Sequence, residues 1–284
     1  MPLPEPPTTY VVGDIHGHRD QLRAALQEAG LVDDAGDWAG RDVALWFLGD
    51  FVDRGPDGVG VIDDVMRLGA QASQSAGSVD SVLGNHEVLL LGFHRFGDAA
   101  DAAGLHSFGL SWLRNGGRRS DQERLTDAHL EWLTTRPAMV HAADHLLMHS
   151  DTTHYLEWGG SVEEINATVT GRLTAAEPDL EEWFDLWRNL TSRGSFRHDD
   201  GPQQAAALLD TLGGERIVHG HTIIAEWLGV PAQQVTGPVL YAGDRVLGID
   251  AGLFAGGPCL VVPLPYEASA SELGQHLAEP RDDH

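Results

Sequence analysis

The chain has 284 residues, 42% of them hydrophobic, and a formal net charge of −25 at pH 7. That is enough apolar material to bury a core, and the charge argues against nucleic-acid binding, which rests on basic side chains neutralising phosphates. All 18 basic residues are arginine, which excludes a P-loop or Schiff-base lysine and leaves arginine, backbone amides or metal to hold an anion.

The single cysteine, Cys259, excludes an intrachain disulfide and a thiolate metal cluster. Nor can it begin the Cys-x5-Arg pattern of cysteine phosphatases, because Pro265 stands where the arginine is needed. No apolar run approaches the ~20 residues of a membrane span. The opening "MPLPEPPTT" lacks the basic-then-apolar order of a signal peptide, so a cytoplasmic protein without a membrane partner is expected.

In chain order, "TYVVGD" reads as a first strand and "RDQLRAALQEAG" as an amphipathic helix ending at Gly30. "VALWFLGD" reads as the second strand, with the helix "GVGVIDDVMRLGAQA" behind it, and "VDSVLGN" as the third. "HLLMHS" and "RIVHGH" follow as a fourth and a fifth, and "GPVLYAG", "RVLGIDAG" and "CLVVPLP" as a glycine-turned meander on a sheet edge. Strands alternating with helical patterns predict an α/β fold. Residues 94–140 and 152–212 read as helical insertions. No linker divides 9–266, which is taken as one domain, with loose tails at 1–8 and 267–284.

Five of these strands end on polar residues. They run into "GDIHG" (Asp14, His16), "GDFVDRG" (Asp50, Asp53, Arg54), "GNHE" (Asn85, His86, Glu87), His149, and "HGHT" (His219, His221). In open α/β sheets, ligands bind outside the carboxyl ends of strands. Carboxylate, imidazole and amide donors without thiolates suit Mn, Fe, Zn, Ni or Mg. The set is too large for one tetrahedral ion but divides between two divalent ions that share a carboxylate. Two such ions outweigh Asp14 and Asp50, so the site would attract phosphate despite the acidic surface.

"GDIHG", "GDFVDRG" and "GNHE", followed by an isolated His149 and "GHT", resemble the calcineurin-like metallophosphoesterases. The "DRG" and "GNHE" forms resemble the phosphoprotein phosphatase branch, which includes bacterial serine/threonine phosphatases and symmetrical dinucleoside tetraphosphatases. The core motifs extend from residue 9 to 224, and "GIDAGLFAGG" resembles that branch's terminal strands. The resemblance implies a four-layer αββα sandwich with a dinuclear centre between the sheets. It places Asp14 and His16 on one ion, Asp50 between the two, and Asn85, His149 and His221 on the other. A water activated by both ions would attack phosphorus. His86 would protonate the leaving oxygen, oriented by Asp53, and Arg54 would grip the phosphate. The branch's second arginine is matched by Arg193 in "NLTSRGSF", with Arg188 in "LWRN" as the substitute.

Two departures bear on the site. "HSDT" replaces the usual histidine and two small residues, and Asp151 in it is read as a helix N-cap in preference to a partner of the ligands. His219 faces the same side as His221 and could support it. Glu87 is read as a helix-start residue or a partner of nearby backbone, and Trp112, Trp132, Trp158, Trp183 and Trp187 as core. The expected function is hydrolysis of phosphate monoesters with two divalent ions, Mn first, on phosphoserine or phosphothreonine. The first alternative is a dinucleoside tetraphosphatase-like nucleotide phosphohydrolase, which "WLRNGG" at 112–117 favours. The second is a catalytically silent phosphate-binding regulator.

Overall fold

The computed structural model describes residues 9–266, so both expected tails lie outside the described residues. Among the described residues there are two sheets. The first is built from β1 (Thr9–Val12), β2 (Ala44–Phe47), β3 (Ser78–Ser81) and β9 (Val261–Leu264), in the order β3-β2-β1-β9. The second holds β4 (Met139–Ala142), β5 (His145–Met148), β6 (Arg216–His219), β7 (Val239–Tyr241) and β8 (Val246–Gly248), in the order β4-β5-β6-β8-β7. β1, β2 and β3 run parallel, as do β5, β6 and β8, and the outer strands β9, β4 and β7 pair antiparallel.

Side-chain alternation explains why the sheets stack. Val11 of β1, Leu147 of β5, Val218 of β6, Leu247 of β8 and Val262 of β9 form one buried apolar cluster, joined by Leu48 and Val82 beyond β2 and β3. Their neighbours Val12, Leu146, Ile217 and Val246 belong to a second cluster, packed with helical residues such as Leu22, Val65 and Leu209. A period of two therefore gives each sheet one face for its partner and one for helices. The result is the αββα sandwich.

The helices are α1 (Arg19–Glu28), α2 (Gly58–Ala72), α3 (Asn85–Phe96), α4 (Phe108–Arg114), α5 (Arg119–Arg124) and α6 (Asp127–Thr134) in the first half. After β5 come α7 (Val162–Thr174), α8 (Leu180–Thr191), α9 (Gly201–Leu212) and α10 (Ile224–Leu228). α2 buries Val61, Ile62, Val65, Leu68 and Ala72 at helical spacing, and the Asp57 side chain caps its start by accepting from the Gly60 amide. α3, α4 and α8 pack together, with the Phe108 and Phe184 rings stacked at 4.3 Å.

Two sequence expectations need correction. "PAMVHA" carries β4, which pairs antiparallel with β5 through a turn at Ala143 and Asp144. The exposed His141 and the weak alternation of this short strand disguise it. The three terminal strands are also not a meander. β7 and β8 form a hairpin on the second sheet, but the chain then crosses over and β9 pairs with β1 of the first. The six residues Gly252–Gly257 include two left-handed glycines and a 3-10 turn, which reverse the chain and make that crossing possible.

Candidate metal centre

The loops after β1, β2, β3, β5 and β6 converge at one end of the sandwich. Their geometry is unusual in one respect: His16, Asp50, Asp53, Arg54 and His221 all have positive φ, between 46° and 68°. Left-handed backbone at a residue with a Cβ costs about 1–2 kcal/mol, and such residues cluster where side chains must be aimed at a site. Close approach explains the glycines beside them. A Cβ on Gly84 would collide with Asp50, and a Cβ on Gly49 would collide with the Gly84 backbone.

Asp50 is common to two groups of donors. His16, Asp50 and His86 offer atoms within 4.8 Å of one another, and so do Asp50, His149 and His221. Asp50 Oδ2 lies 3.6 Å from His16 Nε2, and Oδ1 lies 3.5 Å from His149 Nε2. Asp14 Oδ2 is 3.9 Å from the same His16 nitrogen, and Asn85 Oδ1 is 2.9 Å from His149 Nε2. The metal set read from the sequence, Asp14, His16, Asp50, Asn85, His149 and His221, is thus brought together, and all six residues are buried.

Each imidazole is oriented by its other nitrogen. His16 Nδ1 donates to the Val52 carbonyl at 2.9 Å, His149 Nδ1 to Leu48 at 2.7 Å, and His221 Nε2 to Thr191 at 2.9 Å. This fixes the tautomers so that the remaining nitrogens carry lone pairs. Burial pushes the pKa of all three downward, reinforced by His86 at His16 and by Arg193 at His149 and His221.

The arrangement passes a chemical test for cations. His16 Nε2 is buried without a hydrogen-bond partner. The His149 lone pair faces the Asn85 carbonyl oxygen, whose amide nitrogen is turned to Thr191 Oγ1 at 3.2 Å. Two acceptors 2.9 Å apart repel unless a cation draws them together. Asp14 is pushed far above the usual carboxylate range by burial and by the charges of Asp250 and Asp50. At Asp50 burial acts upward too, but the surrounding His149, His86, His16 and His221 outweigh it and the net shift is downward. Buried carboxylates crowded against neutral imidazoles are what divalent ions stabilise.

Beside the donors lies a second constellation. His86 Nδ1 donates to Asp53 Oδ2 at 2.7 Å, and Arg54 Nη2 lies 3.2 Å from His86 Nε2. Burial works against a charged His86, but Asp50 and Asp53 outweigh it and raise its pKa. The Arg54 guanidinium sits 4.2 Å from the Phe254 ring centroid. Glu87 accepts from the Asp50, Phe51 and Gly84 amides at 2.7, 2.8 and 3.1 Å, pinning the Asp50 loop to the start of α3. Burial and the Asp50 charge push its carboxyl up to about 8.

The two further arginines differ. Arg193 is exposed on the turn after α8, near enough for its charge to depress His149 and His221. Arg188 points elsewhere, donating to Asp185 at 2.8 Å on its own helix and lying over the Phe184 ring at 6.0 Å. The structure does not bring it to the site. Asp151 is not a helix N-cap. It is fully buried, accepts from the Gly194 amide at 3.0 Å and from Thr222 Oγ1 at 2.5 Å, and so ties the Arg193 turn to the end of β6. His219 bonds to the Tyr241 hydroxyl at 2.7 Å, and the same hydroxyl donates to Asp151 at 3.5 Å.

Two residues escaped the sequence reading. Asp250 is a further buried carboxyl, pushed up to about 6 by burial and by the Asp50 charge, and felt by Asp14. Its signal was "GID", a sixth polar strand end. Phe254 had none beyond "GLF".

The family model for calcineurin-like phosphoesterases matches residues 7–225. The chain belongs to that family. Calcineurin-like phosphoesterases are hydrolases with a dinuclear divalent metal centre, and the two donor groups sharing Asp50 are candidate ligand groups for one in this chain. The chain is 25% identical over 280 residues to a symmetrical bis(5'-nucleosyl)-tetraphosphatase of Janthinobacterium sp., covering 88% of this chain and 90% of the relative. It is 29% identical over 85 residues to Shewanella-like protein phosphatase 2 of Arabidopsis thaliana, covering 30% of this chain and 22% of that one. Among solved structures, a cold-active protein tyrosine phosphatase shares the fold of this phosphoesterase. Its TM-score is 0.69 at 22% identity, over 92% of this chain and 74% of that one.

Proposed function

We propose that this phosphoesterase hydrolyses phosphate monoesters, with phosphoserine or phosphothreonine as the substrate class. The observation behind this is the buried His86–Asp53 pair beside Arg54. An alkoxide leaving group has a high pKa and gains most from a proton donor, whereas the leaving group of an anhydride departs readily without one. Asp14 and His16 would hold one ion, Asn85, His149 and His221 the other, and Asp50 both. Two divalent ions so held supply Lewis acidity to an attacking water and to the phosphoryl oxygens. Manganese is our first choice, since oxygen and imidazole donors without thiolate suit it, with Fe, Zn, Ni and Mg as the other possibilities.

The protein's own groups do the rest. Arg54 offers a planar fork to two phosphate oxygens, braced by Phe254. Arg193 adds a second positive charge at the rim. His86 holds the departing proton on Nε2, while Asp53 takes the Nδ1 hydrogen and keeps the ring in place. A protonated His86 and Arg54 would point N–H groups at each other, and a phosphate oxygen between them accepts from both.

The full-length likeness to a symmetrical tetraphosphatase favours a second reading, a nucleotide phosphohydrolase built on the same donors. The test is phosphate release, with each candidate metal, from a phosphothreonine peptide, an aryl phosphate and diadenosine tetraphosphate. Preference for the peptide supports the first reading, and preference for the dinucleotide replaces it with the second. The lone Cys259 and the acidic charge fit our placement of the protein in the cytoplasm.

A further inference from the structure

We propose that Trp112 is a positioning residue for the proton donor, acting through Asp53; this rests on the reading of His86 as the general acid. The Trp112 indole Nε1–H donates to Asp53 Oδ1 at 2.7 Å, while Asp53 Oδ2 accepts from His86 Nδ1 at 2.7 Å. Trp112, Asp53 and His86 are 1%, 0% and 1% exposed, so water cannot substitute for either bond. A carboxylate held by one donor can turn about its Cβ–Cγ bond, whereas one held at both oxygens has a fixed plane. The indole therefore sets the plane in which Asp53 presents Oδ2 to the imidazole.

The bracing closes on itself. Trp112 stacks on Phe93 with ring centroids 4.9 Å apart and planes 23° from parallel. Phe93 and His86 both belong to α3 and lie seven residues, or two turns, apart, on one helix face. The acid is thus fixed at Asp53 and again, through its own helix, at the residue that fixes Asp53.

The same segment also holds the neighbouring arginine. Arg54 has a left-handed φ of 61° and donates its amide to the Gly116 carbonyl at 2.8 Å. Arg118 Nε and Nη2 donate to the Arg54 carbonyl at 3.1 and 2.8 Å. Gly116 itself has a φ of 93°, and a Cβ there would lie 2.9 Å from Arg54 Cγ. Trp112 serves the proton donor, and Gly116 with Arg118 serves the phosphate-binding group.

The test uses the metal-loaded protein with a phosphothreonine peptide and 4-nitrophenyl phosphate. Trp112→Phe keeps an aromatic ring and removes the donor. The expected result is a loss of about tenfold or more in kcat on the peptide, the range seen when a partner behind a functional imidazole is removed. KM and metal content should stay unchanged, and the loss on the aryl ester should be smaller. Gly116→Ala should instead raise KM and weaken inhibition by inorganic phosphate. Should Trp112→Phe not fold, benzothienylalanine at 112 preserves the shape without the N–H. An independent reading is the Trp112 indole proton resonance, which should move in Asp53→Asn.

Equal loss on both esters, no loss, or an indole resonance indifferent to Asp53→Asn would overturn the proposal. His86→Asn in the same assay separates the two levels. If it spares the peptide reaction, the acid assignment fails and takes the proposal with it. If it impairs that reaction selectively and the Trp112 variants do not, the proposal alone is wrong.

Discussion

At the scale of single residues, the site is a set of buried groups aimed by strained backbone and held by hydrogen bonds from behind. His86→Asn is expected to reduce turnover of alkyl phosphates by about 10²-fold or more, the usual contribution of a general acid, with bound metal unchanged on elemental analysis. Loss of metal in that variant would instead make His86 a ligand, a role its 3.9 Å distance to Asp50 Oδ2 keeps in view. Asp151→Ala is expected to destabilise the fold by about 2–3 kcal/mol in denaturant unfolding, because it leaves the buried Gly194 amide and Thr222 hydroxyl unpaired. It should also raise KM by freeing the Arg193 turn. The donor residues were legible in the sequence because each follows an apolar strand and all but His149 stand beside a glycine. Asp151 misled because a short polar run after a strand looks like a cap, and only the tertiary fold shows Thr222 and Gly194 closing over it. Trp112 was read as core, and it is buried, but an indole's bulk and its N–H cannot be told apart in a sequence.

At the scale of elements, α1 and α2 are clamped through Asp64, whose buried carboxylate takes hydrogen bonds from Arg19 and Arg23, both Nε at 2.7–2.8 Å. Burial pushes Asp64 up, but the two arginines outweigh it and hold its pKa below the usual carboxylate range. A carboxyl with a depressed folded pKa contributes stability that is complete above its unfolded pKa of about 4 and is lost as pH falls through the folded value. Asp64→Asn should therefore cost about 2 kcal/mol at pH 7, a figure kept low by the partly exposed arginines. The difference from wild type should stay constant down to pH 5 and shrink below pH 4, which paired urea titrations would show. Helices such as α2 were readable because their apolar spacing and cap are local. β4 was not, since a four-residue edge strand owes its existence to the partner across a hairpin. The crossing of β9 was hidden for the same reason: alternation marks a strand but does not say which sheet receives it.

At the scale of the whole molecule, the candidate metal donors come from both sheets, so bound ions should act on global stability. Asp250 releases its proton near pH 4 when unfolded and at about 6 when folded. Between those values the folded state holds the Asp250 proton that the unfolded state has lost, so this carboxyl's contribution to the metal-free protein should fall by about 2 kcal/mol as pH rises from 4 to 6. Against it stands an opposite gain from His16, His149 and His221, whose depressed pKa values leave the unfolded state the more protonated there. Asp14 shifts in the same direction as Asp250, and the opposite shift of Asp50 acts below pH 4. Manganese at about a hundred times its Kd should add about 2.7 kcal/mol, with a rise in Tm that is larger at pH 7 than at pH 5. Calorimetry with and without chelator would measure both. Sheet pairing has a last consequence, for synthesis. β1 and β9 pair over all four residues of each, yet the ribosome makes β9 some 250 residues after β1. Every proposed metal donor is translated by residue 221, so an unfinished chain can carry the whole candidate ligand set while one edge of its first sheet is still open to any passing strand. Arrival of β9 closes that edge, and an interrupted message would leave a polypeptide that binds metal but invites aggregation.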